Sequence, residues 1–155
     1  MAGNAVVFRL AQAADLPAIL LLLRDDRLGE GRENSSDAAY AAAFERLLAE
    51  PDNHLILGEI GGQPVATYQI TFITGLSLGA TRRAQIESVR VAASMRGRGL
   101  GALMFRDAAR RARHAGCGLL QLTTNATRGD ARAFYERLGF TPSHIGFKRD
   151  LSAAE

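Results

Sequence analysis

Residues 86–102 read Ile86-Glu87-Ser88-Val89-Arg90-Val91-Ala92-Ala93-Ser94-Met95-Arg96-Gly97-Arg98-Gly99-Leu100-Gly101-Ala102. The β-branched alternation followed by three alternating glycines predicts a strand, a short link and the opening of a helix. Glycine lets backbone N–H groups approach a ligand closely, and a helix N-terminus adds the positive end of its dipole. The stretch therefore reads as an anion cradle suited to a pyrophosphate.

A dinucleotide is one such ligand, and Gly97-x-Gly99-x-x-Ala102 fits its fingerprint in the form that ends in alanine. That fingerprint follows its strand closely and places an Asp or Glu about 20 residues later to hold a ribose. Here the link Ala92 to Arg96 intervenes, and the next strand, Leu119 to Thr124, has no acidic residue. Both points count against a dinucleotide.

Working outward, Gly99 to Ala115 has helical spacing through Leu100, Leu103, Met104, Ala108 and Ala112, with Gly116 as a left-handed stop. After the Leu119 to Thr124 strand comes a helix over about Asp130 to Leu138, closed by Gly139, and then strand material from Phe140 to Leu151. Upstream, a strand is expected from about Arg83 to Ala92. His54 to Ile60 and Pro64 to Ile73 form a hairpin about Gly61-Gly62-Gln63. Val6 to Leu10 predicts a first strand; Asp15 can cap a helix with Pro17 early in it, running to about Arg24. Asp25 to Asp37 is a polar loop, and a second helix runs from Asp37 to about Glu50. The expected fold is α/β, with a mixed, mainly antiparallel central sheet flanked by helices.

The 155 residues are 47% hydrophobic and 23% charged, the profile of an ordinary globular chain, and residues 1–155 are read as a single domain. Net charge is only +3, with Lys148 the sole lysine. Arg106, Arg110, Arg111 and Arg113 fit the solvated face of a helix and lack interleaved aromatics, so no nucleic-acid partner is expected. The lone Cys117 excludes an intramolecular disulfide and a multi-cysteine metal cluster; it reads as a packed small residue, and no metal is expected. The longest apolar run, Ala18 to Leu23, is too short to cross a bilayer and follows Asp15 and Pro17 rather than a basic leader. A cytoplasmic location with no membrane partner is the expectation.

Arg96-Gly97-Arg98-Gly99-Leu100-Gly101 resembles the acetyl-CoA signature Q/R-x-x-G-x-G/A of the GNAT superfamily of N-acetyltransferases. A second block follows in register: Asn125, then Ala131-x-x-Phe134-Tyr135-x-x-x-Gly139-Phe140, similar to the family's N-x-x-A-x-x-F-Y-x-x-x-G-F element with a slightly longer gap after the asparagine. The resemblance implies the GNAT fold, splayed between the Arg83 to Ala92 and Leu119 to Thr124 strands at the acetyl-CoA site, with a β-bulge near Val89. It implies that the strand backbone of Val89, Arg90 and Val91 holds the pantetheine arm. Arg96, Gly97, Arg98, Gly99, Leu100, Gly101 and Ala102 would hold the pyrophosphate, and Asn125, Ala131 and Phe134 would complete the acetyl-CoA site. Tyr135 would sit near the thioester sulfur. Dimers are common in the family, so the resemblance admits a homodimer.

Direct attack by an amine sets two chemical demands. An alkyl ammonium with pKa near 10 must lose a proton, and a departing thiolate benefits from an acid. Glu87 is the best base, directly or through water, and Tyr135 the best acid; a strand-end salt bridge and a core aromatic remain their alternative roles. His144, in Ser143-His144 between the last two expected strands, can border the acceptor or simply occupy a turn. Thr123-Thr124-Asn125, Arg128-x-Asp130-Ala131, Phe134-Tyr135 and Ser143-His144-x-x-Phe147 resemble aminoalkylphosphonate acetyltransferases, so the expected acceptor is a small-molecule amine. A protein N-terminal or lysine acetyltransferase and a non-catalytic acyl-CoA sensor remain alternative readings.

Overall fold

A computed structural model describes residues 5–25, 33–125 and 127–152. Strands β1 (Val7–Leu10), β2 (Asn53–Ile60), β3 (Gln63–Ile73), β4 (Arg83–Val91) and β5 (Leu119–Leu122) form one sheet in chain order. The first three pairings are antiparallel and β4–β5 is parallel. Helices α1 (Leu16–Arg24) and α2 (Asp37–Ala49) precede β2, α3 (Leu100–His114) makes the crossover that a parallel pair requires, and α4 (Gly129–Arg137) follows β5. The chain divides into two compact units, Met1–Leu122 and Thr123–Glu155.

Local chemistry sets the element ends. Gly61 and Gly62 both have positive φ (56° and 78°), the conformation a two-residue hairpin needs for strands of natural twist. Ser36 accepts the Ala39 N–H at 3.2 Å and starts α2. At the end of α3 the Cys117 N–H reaches back to the Ala112 carbonyl, the expected left-handed stop at Gly116.

The sheet is covered on both faces in the first unit. Leu55 and Leu57 of β2 join Ile19 and Leu22 of α1 and Phe44 of α2 in one buried cluster. On the other face Tyr68 of β3 and Ile86 and Val89 of β4 meet Met104, Phe105 and Ala108 of α3. Each large apolar side chain so buried contributes roughly 1.5–3 kcal/mol, enough in sum to hold the sheet between its helices.

Four expectations need correction. Asp15 does not cap α1 with its side chain; its carboxylate accepts the Gln12 N–H across a single 3-10 turn and ion-pairs with Arg9. The strand expected over Leu119 to Thr124 stops at Leu122, where its ladder with β4 ends at the Ile86–Leu122 pair. Phe140 to Leu151 forms no strand: Ile145, Phe147 and Leu151 alternate as a strand would but stand exposed, and Ser143 and Ser152 turn their N–H groups to Thr141 and Asp150 nearby. Alternation marks a strand only when a neighbour supplies a ladder, which is not a local property. Finally, Arg110 and Arg111 are not simply solvated; both turn to the buried carboxylate of Asp107. Of the loop expected from Asp25 to Asp37, residues 26–32 lie outside the described residues.

Candidate active site

The register of β3 and β4 slips by one residue in the middle of the sheet. Thr67 pairs with Arg90 and Gln69 with Glu87, so Tyr68 faces two residues, Ser88 and Val89. Ser88 takes φ +53°, a left-handed conformation uncommon outside glycine. This is the β-bulge expected near Val89. It moves the side-chain alternation on by one, so that Val89 rather than Ser88 stands against α3 beside Tyr68.

The bulge lies just beyond the last pair with β5. β4 therefore runs on from Glu87 to Val91 with Gln69, Thr67 and Ala66 of β3 as ladder partners, past the end of the β5 ladder. Here the sheet is open on one side of β4, because β5 has ended at Leu122. Glu87 precedes the bulge and points to the face that α1 and α2 cover, opposite Ile86; its carboxylate is exposed and engaged in no ion pair among the described residues.

From Val91 the chain passes through one 3-10 turn, Ala93–Met95, into the glycines. Gly97 and Gly99 have φ of +73° and +76°, so L side chains there would be strained. Gly99 occupies the N-cap of α3 without a side chain to cap it, and no acidic residue stands in the first turn. The N–H groups of Leu100, Gly101 and Ala102 accordingly have no intrahelical acceptor, and the dipole end faces the same way. Such an end fits a pyrophosphate.

In the second unit, Asn125 accepts from the Thr127 N–H and hydroxyl at 3.0 and 2.9 Å, an Asx turn leading to α4. Ala131 is buried, and Phe134, Tyr135 and Phe140 form a chain of edge-on rings, with centroids 5.4 and 6.1 Å apart. The Phe140 N–H returns to the Tyr135 carbonyl across Gly139, fixing the end of α4. Ser143 Oγ and His144 Nδ1 lie 2.7 Å apart on exposed, irregular chain, not between two strands as expected.

Two groups of residues escaped the sequence reading. Tyr68 donates its hydroxyl to Asp107 at 2.5 Å; Arg110 and Arg111 donate to the same carboxylate, and Arg111 also reaches the Phe8 carbonyl at 3.0 Å. Burial, then the Asp107 hydrogen bond, pushes the Tyr68 phenol well above its ordinary value. Burial alone would raise Asp107, but the hydrogen bonds from Arg111, Tyr68 and Arg110 outweigh it and hold the carboxyl below the ordinary range. The spacing of Asp107 to Arg110 and Arg111 was the available signal; Tyr68 left none. The second group is Asp25 with Arg96, treated below. Among the described residues no group of three or more His, Cys, Asp or Glu is gathered as a metal site would need, and no helix is long and apolar enough to cross a membrane.

The model of the acetyltransferase (GNAT) family matches residues 18–140. The aminoalkylphosphonate N-acetyltransferase of Salmonella typhimurium is 32% identical over 113 residues, 73% of each chain. The solved structure of a transcriptional regulator from Bacillus halodurans matches 95% of this chain and 100% of its own, with TM-score 0.90 and 38% identity. Glucosamine-6-phosphate N-acetyltransferase from Arabidopsis thaliana shares the fold at 18% identity, with TM-score 0.76 over 96% of this chain and 100% of its own. The chain belongs to the GNAT family of acetyltransferases, and its fold and family are those of an acetyl-CoA-dependent N-acetyltransferase.

Proposed function

We propose that the chain acetylates the primary amine of a small molecule, with an aminoalkylphosphonate-like amine as the leading acceptor. The observation that carries the cofactor half is the course of β4: it continues past its pairing with β5, bends at Ser88–Val89 and leads into the uncapped, glycine-opened N-terminus of α3. The acceptor half rests on likeness to the Salmonella enzyme named above.

Acetyl-CoA supplies the acetyl thioester. The backbone of Val89, Arg90 and Val91 beyond the β5 ladder would pair with the pantetheine amides, the Val89 and Val91 carbonyls sharing their acceptor capacity with Arg90 Nη1 and Arg96 Nε, while the amides from Gly97 to Ala102 would take the pyrophosphate. Since Asn125 Oδ1 is committed to Thr127, a contact to the cofactor would come from its amide nitrogen. Ala131 and Phe134 lie on α4, which follows Asn125 in the chain. The Glu87 carboxylate takes a proton from the ammonium, directly or through water. The freed nitrogen would form the C–N bond to the acetyl carbon as the C–S bond breaks; Tyr135 would give its hydroxyl proton to the departing sulfur, and the second proton that the acylated nitrogen must shed would return to the tyrosinate. An ion-paired Glu87 would be a poorer acceptor; its exposure, and the lack of such a partner among the described residues, support the base role.

Isothermal titration with acetyl-CoA, with NADH as the control, tests the cradle. A thiol-release screen over aminoalkylphosphonates, other small amines and peptides tests the acceptor. Acetyl-CoA should bind, NADH should not, and aminoalkylphosphonates should release thiol. Release with peptides alone would make the chain a protein acetyltransferase, and binding without release in any class would make it a sensor. Gly101→Glu, which adds a side chain and a negative charge in the first turn of α3, should abolish binding.

A further inference from the structure

The signature arginine Arg96 does not point its guanidinium to the glycines. Its Nε donates to the Val91 carbonyl at 3.1 Å, its Nη2 donates to the Asp25 carbonyl, and it stands 3.8 Å from the Asp25 carboxylate. The same carboxylate accepts the Ala93 N–H at 2.7 Å. Asp25 is the C-cap of α1, its own N–H bonded to Leu21, and α1 is anchored in the core through Ile19 and Leu22. Three attachments thus tie the link between β4 and the glycines to the end of a core helix.

We propose that Asp25 is a positioning residue for the acetyl-CoA site: with Arg96 it clamps residues 91–96 to α1, so that Arg96 serves the pyrophosphate amides by fixing their loop rather than by touching phosphate. The inference rests on the acetyl-CoA reading above. Gly97 and Gly99 at positive φ need no side-chain packing to reach many other conformations, so a loop of this composition requires an external hold to present its amides in one arrangement.

The two roles for Arg96 predict opposite signs at Asp25. If Arg96 were a direct phosphate ligand, Asp25 would compete for its guanidinium and repel the anion, and removing it would leave acetyl-CoA affinity unchanged or raised. If the two form a clamp, removing Asp25 loosens the cradle. Titration of acetyl-CoA into the full chain and its variants decides. Asp25→Ala and Arg96→Ala should each raise Kd roughly three- to fivefold, the range of a partly exposed pair, and the double variant should lose less than the two losses multiplied, since each single variant already breaks the contact between the two side chains. Asp25→Asn, whose carboxamide oxygen still accepts from Ala93, should fall between wild type and Asp25→Ala. With an acceptor that releases thiol, KM for acetyl-CoA should rise while kcat at saturation holds. Unchanged or tighter binding in Asp25→Ala, or additive losses in the double variant, would overturn the clamp. Failure of the wild type to bind acetyl-CoA would instead sink the reading on which it rests.

Discussion

At the scale of single residues the reaction asks for a base and an acid, and the two side chains proposed for these roles stand in different surroundings. Glu87 is exposed one residue before a bulge, whereas Tyr135 is half-buried among Phe134 and Phe140. A phenol hydroxyl can supply the proton that a departing thiolate takes. Tyr135→Phe keeps the ring and removes the hydroxyl that would supply the proton, so kcat should fall about a hundredfold with acetyl-CoA Kd unchanged. Stopped-flow thiol release beside calorimetry separates the two effects, and an undiminished rate would take the acid role from Tyr135. Glu87 and Tyr135 could be proposed from the sequence because each has its place in a motif. Asp25 could not, since its partners Ala93 and Arg96 are distant in sequence and no local pattern announces them.

At the scale of elements, the legible parts were those whose cause is local. The glycine hairpin at Gly61-Gly62, the stop at Gly116 and the helix opened by Gly99 each follow from a few neighbouring residues. The stretch from Phe140 to Leu151 misled for the converse reason: its alternation is present, but a strand also needs a neighbour. The bulge in β4 sits between these cases, expected from family likeness and realised by a serine in a left-handed conformation. A non-glycine residue there carries strain of about 1–2 kcal/mol, which a β-branched side chain would increase. Ser88→Val should therefore lower unfolding free energy by about 1–2 kcal/mol and weaken acetyl-CoA binding, because Val89 would lose its place against α3. Ser88→Gly should leave stability within about 0.5 kcal/mol of wild type, relief of strain offsetting added backbone freedom. Urea denaturation of both variants checks the pair; equal losses would mean that the conformation of Ser88 is not what shapes the strand.

At the scale of the whole molecule, the Tyr68–Asp107–Arg111 network joins β3, α3 and, through the Phe8 carbonyl, β1. It lies beneath the bulge and along the helix whose first turn forms the cradle, so it bears on stability and on the geometry of the site together. Asp107 is buried to 7% exposure and titrates below its unfolded value of about 3.9. Between the folded and unfolded values the unfolded chain binds the extra proton, so stability rises with pH there: the contribution is present above about pH 4 and is lost as pH falls through the folded value. Asp15, lowered first by its hydrogen bond from Arg9, adds to the same acid limb with the same sign. Asp107→Asn removes the charge that Arg111 and the Tyr68 hydroxyl were arranged around, and should cost about 3 kcal/mol at pH 7. Its melting temperature should also fall less than that of the wild type between pH 5 and pH 3, because one depressed carboxyl is gone while those of Asp15 and Asp150 remain. Thermal melts of both proteins across that interval decide the point. Parallel decline would show that Asp107 carries none of the acid sensitivity, and that Tyr68 and Arg111 are held in place by packing alone.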